Sequence, residues 1–96
     1  MMKIGTVRNG SSLIATPEGR IDSGNMQDFE NQLMRMLDGV TTLVLDFAGV
    51  ESTNLNILQV LLKLQKTLED RGGSLTLLQI PENVLENVDL SSFTVL

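Results

Sequence analysis

Residues 40–47 read VTTLVLDF, residues 54–71 read NLNILQVLLKLQKTLEDR, and residues 74–80 read SLTLLQI. The first and third segments have the length and the β-branched and leucine content of strands. The apolar residues of the middle segment recur at spacings of three and four: Ile57, Leu61, Leu64 and Leu68, with Leu58 and Leu62 widening the stripe. This spacing predicts an amphipathic helix over residues 54–71. A strand–helix–strand unit of this kind closes as a right-handed parallel crossover, so these segments predict an α/β fold.

The continuous apolar character of residues 40–47 predicts a strand that is buried on both faces. Residues 48–53 then form a loop. Upstream, the pair Asn9-Gly10 predicts a hairpin turn between residues 3–8 and residues 12–15, because both residues of such a pair accept a positive φ. Pro17 interrupts the second of these strands, which therefore lies at an edge or bends there.

Two further helices and one strand complete the prediction. Ser23 or Asn25 caps a helix that Gly39 ends, Pro81 opens a short helix, and residues 92–96 form a last strand. The element order is then β-β-α-β-α-β-α-β. We expect a single domain over residues 1–96, with a mixed four- to five-stranded sheet and amphipathic helices on one face.

The composition excludes several classes of function. The chain of 96 residues has a net charge of −5, with no histidine and no cysteine. Catalytic triads with histidine, thiol nucleophiles and zinc–thiolate sites are therefore excluded, and we expect no enzyme, no metal and no cofactor. Scattered basic residues argue against nucleic acid. Without a signal peptide or a long apolar run, the sequence predicts a cytoplasmic protein that does not insert into a membrane.

Two stretches of the sequence resemble the STAS domain family, whose typical members are the bacterial anti-sigma factor antagonists. Residues 18–25, EGRIDSGN, are similar to the family's turn into its first helix. Residues 43–51, LVLDFAGVE, are similar to its buried strand and the loop after it. The resemblance covers nearly the whole chain, except that the family's usual C-terminal helix after the last strand has no counterpart.

The resemblance implies a protein-binding regulatory module without enzymatic activity. Its partner would be an anti-sigma factor of the serine-kinase type, which in the family phosphorylates an Asp-Ser-(Ser/Thr)-Gly motif. That motif falls on residues 54–57, which places Asn56 at the acceptor position, where phosphate cannot be attached. Ser52 and Thr53 lie just upstream and are the alternative acceptors. The expected partner-binding residues are Ser52, Thr53, Asn54, Leu55, Asn56, Asp22 and Asp46.

Each of these residues also has a purely structural interpretation. Asp22 can accept backbone amides in a turn, and Asp46 can fix the loop after its strand. Asn54 and Asn56 can cap the helix that follows. Leu55 lies off the apolar stripe, so we expect it to be exposed.

Three other assignments remain open at the level of the sequence. STAS-like domains also serve as accessory subunits of membrane transport ATPases, including lipid transporters, and such a permanent subunit would need no phosphorylation switch. A small ligand such as a nucleotide or an acyl chain is a further possibility. A homodimer is the third.

Overall fold

The computed structural model describes residues 2–96 of the chain. It contains seven strands and three helices within that range. The strands are β1 (Ile4–Asn9), β2 (Ser12–Pro17), β3 (Gly19–Ile21), β4 (Thr42–Asp46), β5 (Val50–Thr53), β6 (Ser74–Leu78) and β7 (Thr94–Val95). The helices are α1 (Met26–Met36), α2 (Ile57–Glu69) and α3 (Glu82–Asn87).

Five of the strands form one mixed sheet in the order β1-β2-β4-β6-β7. β1 is antiparallel to β2, and all other neighbours in this sheet are parallel. The α/β class and the mixed sheet are therefore as the sequence predicts. The element order gains two short strands, because β3 and β5 pair with each other in a separate parallel ribbon.

One face of the five-stranded sheet is buried and the other is open to solvent. Leu43 and Leu45 of β4 are completely buried, whereas Thr42, Val44 and Asp46 are only half-buried. The expectation that this central strand is buried on both faces is therefore wrong. All three helices lie on one side, since each parallel crossover is right-handed, and α2 supplies much of the core through Ile57, Val60, Leu61, Leu64 and Leu68.

The hairpin forms where the sequence predicts it, but its turn lies one residue later. Asn9 pairs with Ser12, so Gly10 and Ser11 form the turn, and only Gly10 of these has a positive φ, of 63°. Asn9 thus belongs to β1. β2 is an internal strand, which contradicts the edge position, and Pro17 is instead the point where the chain bends out of the large sheet toward β3.

A polar contact joins α1 to α2 beside the core. Lys63 Nζ of α2 lies 3.0 Å from Glu30 Oε1 of α1. The Glu30 side chain is only 12% exposed, and the Gln27 amide also donates a hydrogen bond to it, at 2.9 Å. The largely buried Glu30 carboxylate therefore has two polar partners, which offset the cost of removing it from water.

Candidate protein-docking site

The β3–β5 ribbon brings the two family-like stretches of sequence together. Ile21 lies opposite Thr53, and the Asn54 amide donates a hydrogen bond to the Ile21 carbonyl oxygen at 2.7 Å. The interpretation of residues 48–53 as a loop is wrong for this reason: residues 50–53 find a backbone partner that lies thirty residues away. The ribbon fixes the segment that leads into α2.

Asp22 organises the turn between β3 and α1. Its carboxylate Oδ1 accepts the amides of Gly24 at 2.9 Å and Asn25 at 3.1 Å. The Asp22 carbonyl oxygen accepts the amide of Met26, the first residue of α1. Asn25 does not cap the helix through its side chain, which instead accepts the Asp22 amide and donates to the carbonyl of Arg20. Asp22 therefore has a structural role, and it lies beside the ribbon.

Residues 52–56 divide into buried and exposed members. Ser52 is exposed, whereas Thr53 is only 5% exposed and its hydroxyl donates to the carbonyl of Asn54. Asn54 Oδ1 accepts the Asn56 amide at 2.8 Å, so Asn54 and not Asn56 provides the side-chain hydrogen bond at the start of α2. The predicted helix start at residue 54 moves to Ile57, because residues 54–56 form this turn first. Asn56 is exposed.

An exposed stripe continues from this turn along α2. Leu55 is 41% exposed, as the sequence predicts. Leu62 is 42% exposed, so its assignment to the apolar stripe of the helix is wrong. Gln59 and Lys66 are exposed as well, and spacings of three and four place Gln59, Leu62 and Lys66 on one side of α2, which Leu55 precedes in the turn. We call the exposed residues Ser52, Leu55, Asn56, Gln59 and Leu62 the α2 surface.

Asp46 does not join the α2 surface. It ends β4 on the open face of the sheet, where it lies opposite Leu78. Its Oδ1 accepts the Ala48 amide at 2.9 Å and holds the turn that leads toward β5. In the part of the chain that the structure describes, no hydrogen bond connects this carboxylate to residues 52–56.

Two features of the site are absent from the sequence prediction. The Asn83 side chain of α3 donates to the Thr53 carbonyl at 3.1 Å and ties α3 to the ribbon. Arg20 and Glu51 face each other across the ribbon, with Nε and Oε2 3.5 Å apart. Neither contact has a local signal, because each joins residues that are thirty or so positions apart.

Comparison with known families identifies the fold. A family model described as "Mlab, STAS domain" matches residues 5–96. The chain belongs to the STAS domain family. No curated protein sequence matches it significantly.

Solved structures share the STAS fold at low sequence identity. An anti-sigma factor antagonist from Mycobacterium paratuberculosis has a TM-score of 0.81 at 16% identity, over 99% of this chain and 85% of that one. SpoIIAA of Bacillus in its phosphorylated form has a TM-score of 0.78 at 13% identity, over 100% and 89%. The murine anion transporter Slc26a9 contains a similar domain, with a TM-score of 0.70 at 22% identity over 93% of this chain and 16% of the transporter. These likenesses establish the architecture.

The site is a surface formed by the β3–β5 ribbon and the start of α2. Over residues 2–96, no three acidic side chains come together in a group that could hold a metal ion. None of the helices in that range is long and apolar enough to cross a bilayer. Of the residues expected to bind a partner, Ser52, Leu55 and Asn56 are exposed and adjacent along the chain, and Asn54 holds their turn. Asp22 is also exposed and follows Ile21 of the ribbon.

Proposed function

We propose that this STAS domain is a non-enzymatic regulatory module of the cytoplasm that binds a partner protein through the α2 surface. The observation that carries the proposal is the exposure of Leu55, in the turn where the family carries its switch, and of Leu62 on the helix that follows. A protein partner that covers the α2 surface would remove both leucines from water, and this burial favours association.

The partner that the resemblance favours is an anti-sigma factor of the serine-kinase type. In this proposal the domain acts by occupying the partner's surface stoichiometrically, as an antagonist. The acidic charge of the chain suits a partner with a basic contact surface.

We further propose that the usual phosphorylation switch is absent. Asn56 stands at the acceptor position and is exposed at the start of α2, so a kinase that reaches this position meets an amide. Ser52 is the exposed hydroxyl nearby and is the alternative acceptor. Burial of Thr53 argues against its use, because a kinase must extract the side chain to reach it.

The second candidate function is that of an accessory subunit of a membrane transport ATPase, such as a lipid transporter. Asn56 favours it, since a permanent subunit needs no switch. The presence of a similar domain within an anion transporter also fits this role. A homodimer would have to use another surface if α2 binds the partner.

A pull-down from source-cell lysate with tagged protein tests both candidates. Three baits are compared: the wild type, Leu55→Lys on the α2 surface, and Met34→Lys on the exposed side of α1 as a control with the same charge change and similar exposure, 38%. Recovery of a kinase-type anti-sigma factor by the wild type and Met34→Lys, but not by Leu55→Lys, supports the antagonist role. Recovery of a transport ATPase in the same pattern supports the accessory subunit.

Phosphosite mapping of the recovered bait tests the missing switch. We expect no phosphate on wild-type Ser52 or Thr53, and phosphate on the new hydroxyl of Asn56→Ser when the cognate kinase is present. Phosphorylation of wild-type Ser52 with release of the partner would show that the switch has moved upstream. Binding that is equal for all three baits would remove the α2 surface from the proposal.

A further inference from the structure

The open face of the five-stranded sheet carries almost no charge. Every second residue of each strand points to this side, and Val7, Ile14, Val44 and Thr76 form one row across four strands. Among the positions of these five strands, all of which lie within residues 2–96, Asp46 is the one charged residue on the open face. The chain as a whole has 12 acidic and 7 basic residues, so charge is concentrated elsewhere.

The row is also exposed and β-branched. Val7 is 67% exposed and Ile14 is 42% exposed, while Val44 and Thr76 on the inner strands are half-buried by their neighbours. Asp46 lies at the carboxyl end of β4, at the margin of the face, and its carboxylate accepts a hydrogen bond from the Ala48 amide. A neutral, branched and flat surface of this type packs well against another sheet.

We propose that the open face binds a second copy of this chain, so that the protein forms a homodimer with its two sheets face to face. Two copies with a net charge of −5 repel each other, and a two-fold axis places like charges near one another. The open face adds little to this repulsion, because Asp46 is the one charged strand position on it. Two sheets with the same twist also pack face to face with their strands nearly aligned, so the open faces of two copies are complementary in shape.

The small size of the face puts this contact in the class of weak, transient interfaces. The molecule measures 32 × 30 × 20 Å along its principal axes. Five strands spaced about 4.8 Å apart and roughly five residues long cover about 400 Å², half of the 800 Å² per partner that a standard interface buries. We therefore expect a reversible dimer that forms at about tens to hundreds of micromolar protein.

This dimer leaves the partner site free, because α2 lies on the opposite side of the sheet. Each copy would present its own α2 surface, and the dimer would offer two of them pointing away from each other. The proposal does not depend on which partner the α2 surface binds.

Sedimentation equilibrium of the whole chain, from about 10 µM to about 1 mM, tests the dimer. Ile14→Lys and Val7→Lys place a cation on the open face, whereas Met34→Lys places the same charge on α1. All three substitutions make the net charge less negative and so reduce general repulsion. We expect the wild type and Met34→Lys to approach twice the monomer mass, and the two open-face variants to dimerise at least tenfold more weakly.

Three outcomes would overturn the proposal. They are a wild type that stays monomeric at about 1 mM, equal association of all variants, and assembly that continues beyond the dimer. Circular dichroism establishes that each variant is folded, and if Ile14→Lys unfolds, the edge position of Val7 still decides the question. Dilution of a ¹⁵N-labelled sample should move the amide resonances of Ile14, Val44 and Thr76 and leave those of α1 in place.

Discussion

The amide of Asn54 donates to the carbonyl of Ile21 at 2.7 Å, and this hydrogen bond joins the two stretches of sequence that carry the family resemblance. It follows the pairing of Ile21 with Thr53 in the β3–β5 ribbon. The turn that begins α2 is therefore held by a strand that comes before α1. Its stability depends on packing and on hydrogen bonds from both halves of the chain.

The Asn54 side chain should stabilise the start of α2. Asn54→Ala removes the acceptor of the Asn56 amide, and we expect a loss of about 1 kcal/mol in the free energy of unfolding. Asn56→Ala is the matched control, because the Asn56 side chain makes no capping hydrogen bond. Urea unfolding measures both. Equal losses for the two variants would contradict the assignment of the cap to Asn54.

A negative charge should destabilise the protein at position 53 and have little effect at position 52. Thr53→Asp buries a carboxylate where the side chain is only 5% exposed, and we expect a loss of more than about 2 kcal/mol. Ser52→Asp remains exposed, opposite Arg20 in the ribbon, and should change stability by less than about 0.5 kcal/mol. Urea unfolding distinguishes them, and a stable Thr53→Asp would show that this residue turns outward easily.

Removal of the Lys63 charge should lower the free energy of unfolding more than removal of the Lys3 charge, because only Lys63 pairs with a buried carboxylate. Lys63→Met leaves the Glu30 carboxylate, 12% exposed, with Gln27 alone, and we expect a loss of about 1 kcal/mol after allowing for the exposure of Lys63. Lys3→Met removes an exposed ion pair with Glu18 at 3.6 Å and should cost less than about 0.3 kcal/mol. Thermal or urea unfolding in low salt measures the difference. If Lys3→Met lowers the free energy of unfolding as much as Lys63→Met does, the burial of Glu30 is not the reason for the loss.

The ionisation of Asp28, which accepts a hydrogen bond from the N-terminal segment, should make the stability of the protein depend on pH. The Met2 amide and then the Gln32 side chain donate to Asp28 Oδ2, and these bonds lower the pKa of that carboxyl below its usual value. A lowered pKa in the folded state stabilises the protein above about pH 4, and this contribution is lost as the pH falls through the folded-state pKa. We therefore expect Asp28→Asn to be less stable than the wild type at pH 7.

Acid unfolding followed by circular dichroism provides the test of that pH dependence. The difference between wild type and Asp28→Asn should shrink as the pH falls below about 4 and vanish at the acid end. Asp38→Asn is the control, since Asp38 is exposed and makes the same change in charge. A difference that is constant with pH would mean that Asn at position 28 alters packing instead.

The sequence by itself determined the elements whose signals are local. The spacing of Ile57, Leu61, Leu64 and Leu68 predicted the buried stripe of α2 because one helix face repeats at three and four residues. The strands around residues 40–47 and 74–80 followed from their composition, and their parallel pairing followed from the helix between them. The exposure of Leu55 followed from its place off the stripe.

Only the tertiary structure decided what depends on distant partners. β5 forms because residues 50–53 meet β3. Val50 and Thr53 are buried whereas Glu51 and Ser52 are exposed, and the register of the ribbon shifts between these ends. The solvent face of β4 is open because nothing within residues 2–96 covers it, although Val44 has the side chain of a core residue. Hydrogen bonds such as that from Asn83 to Thr53 join residues 30 positions apart, and no local pattern encodes which distant segment the chain will meet.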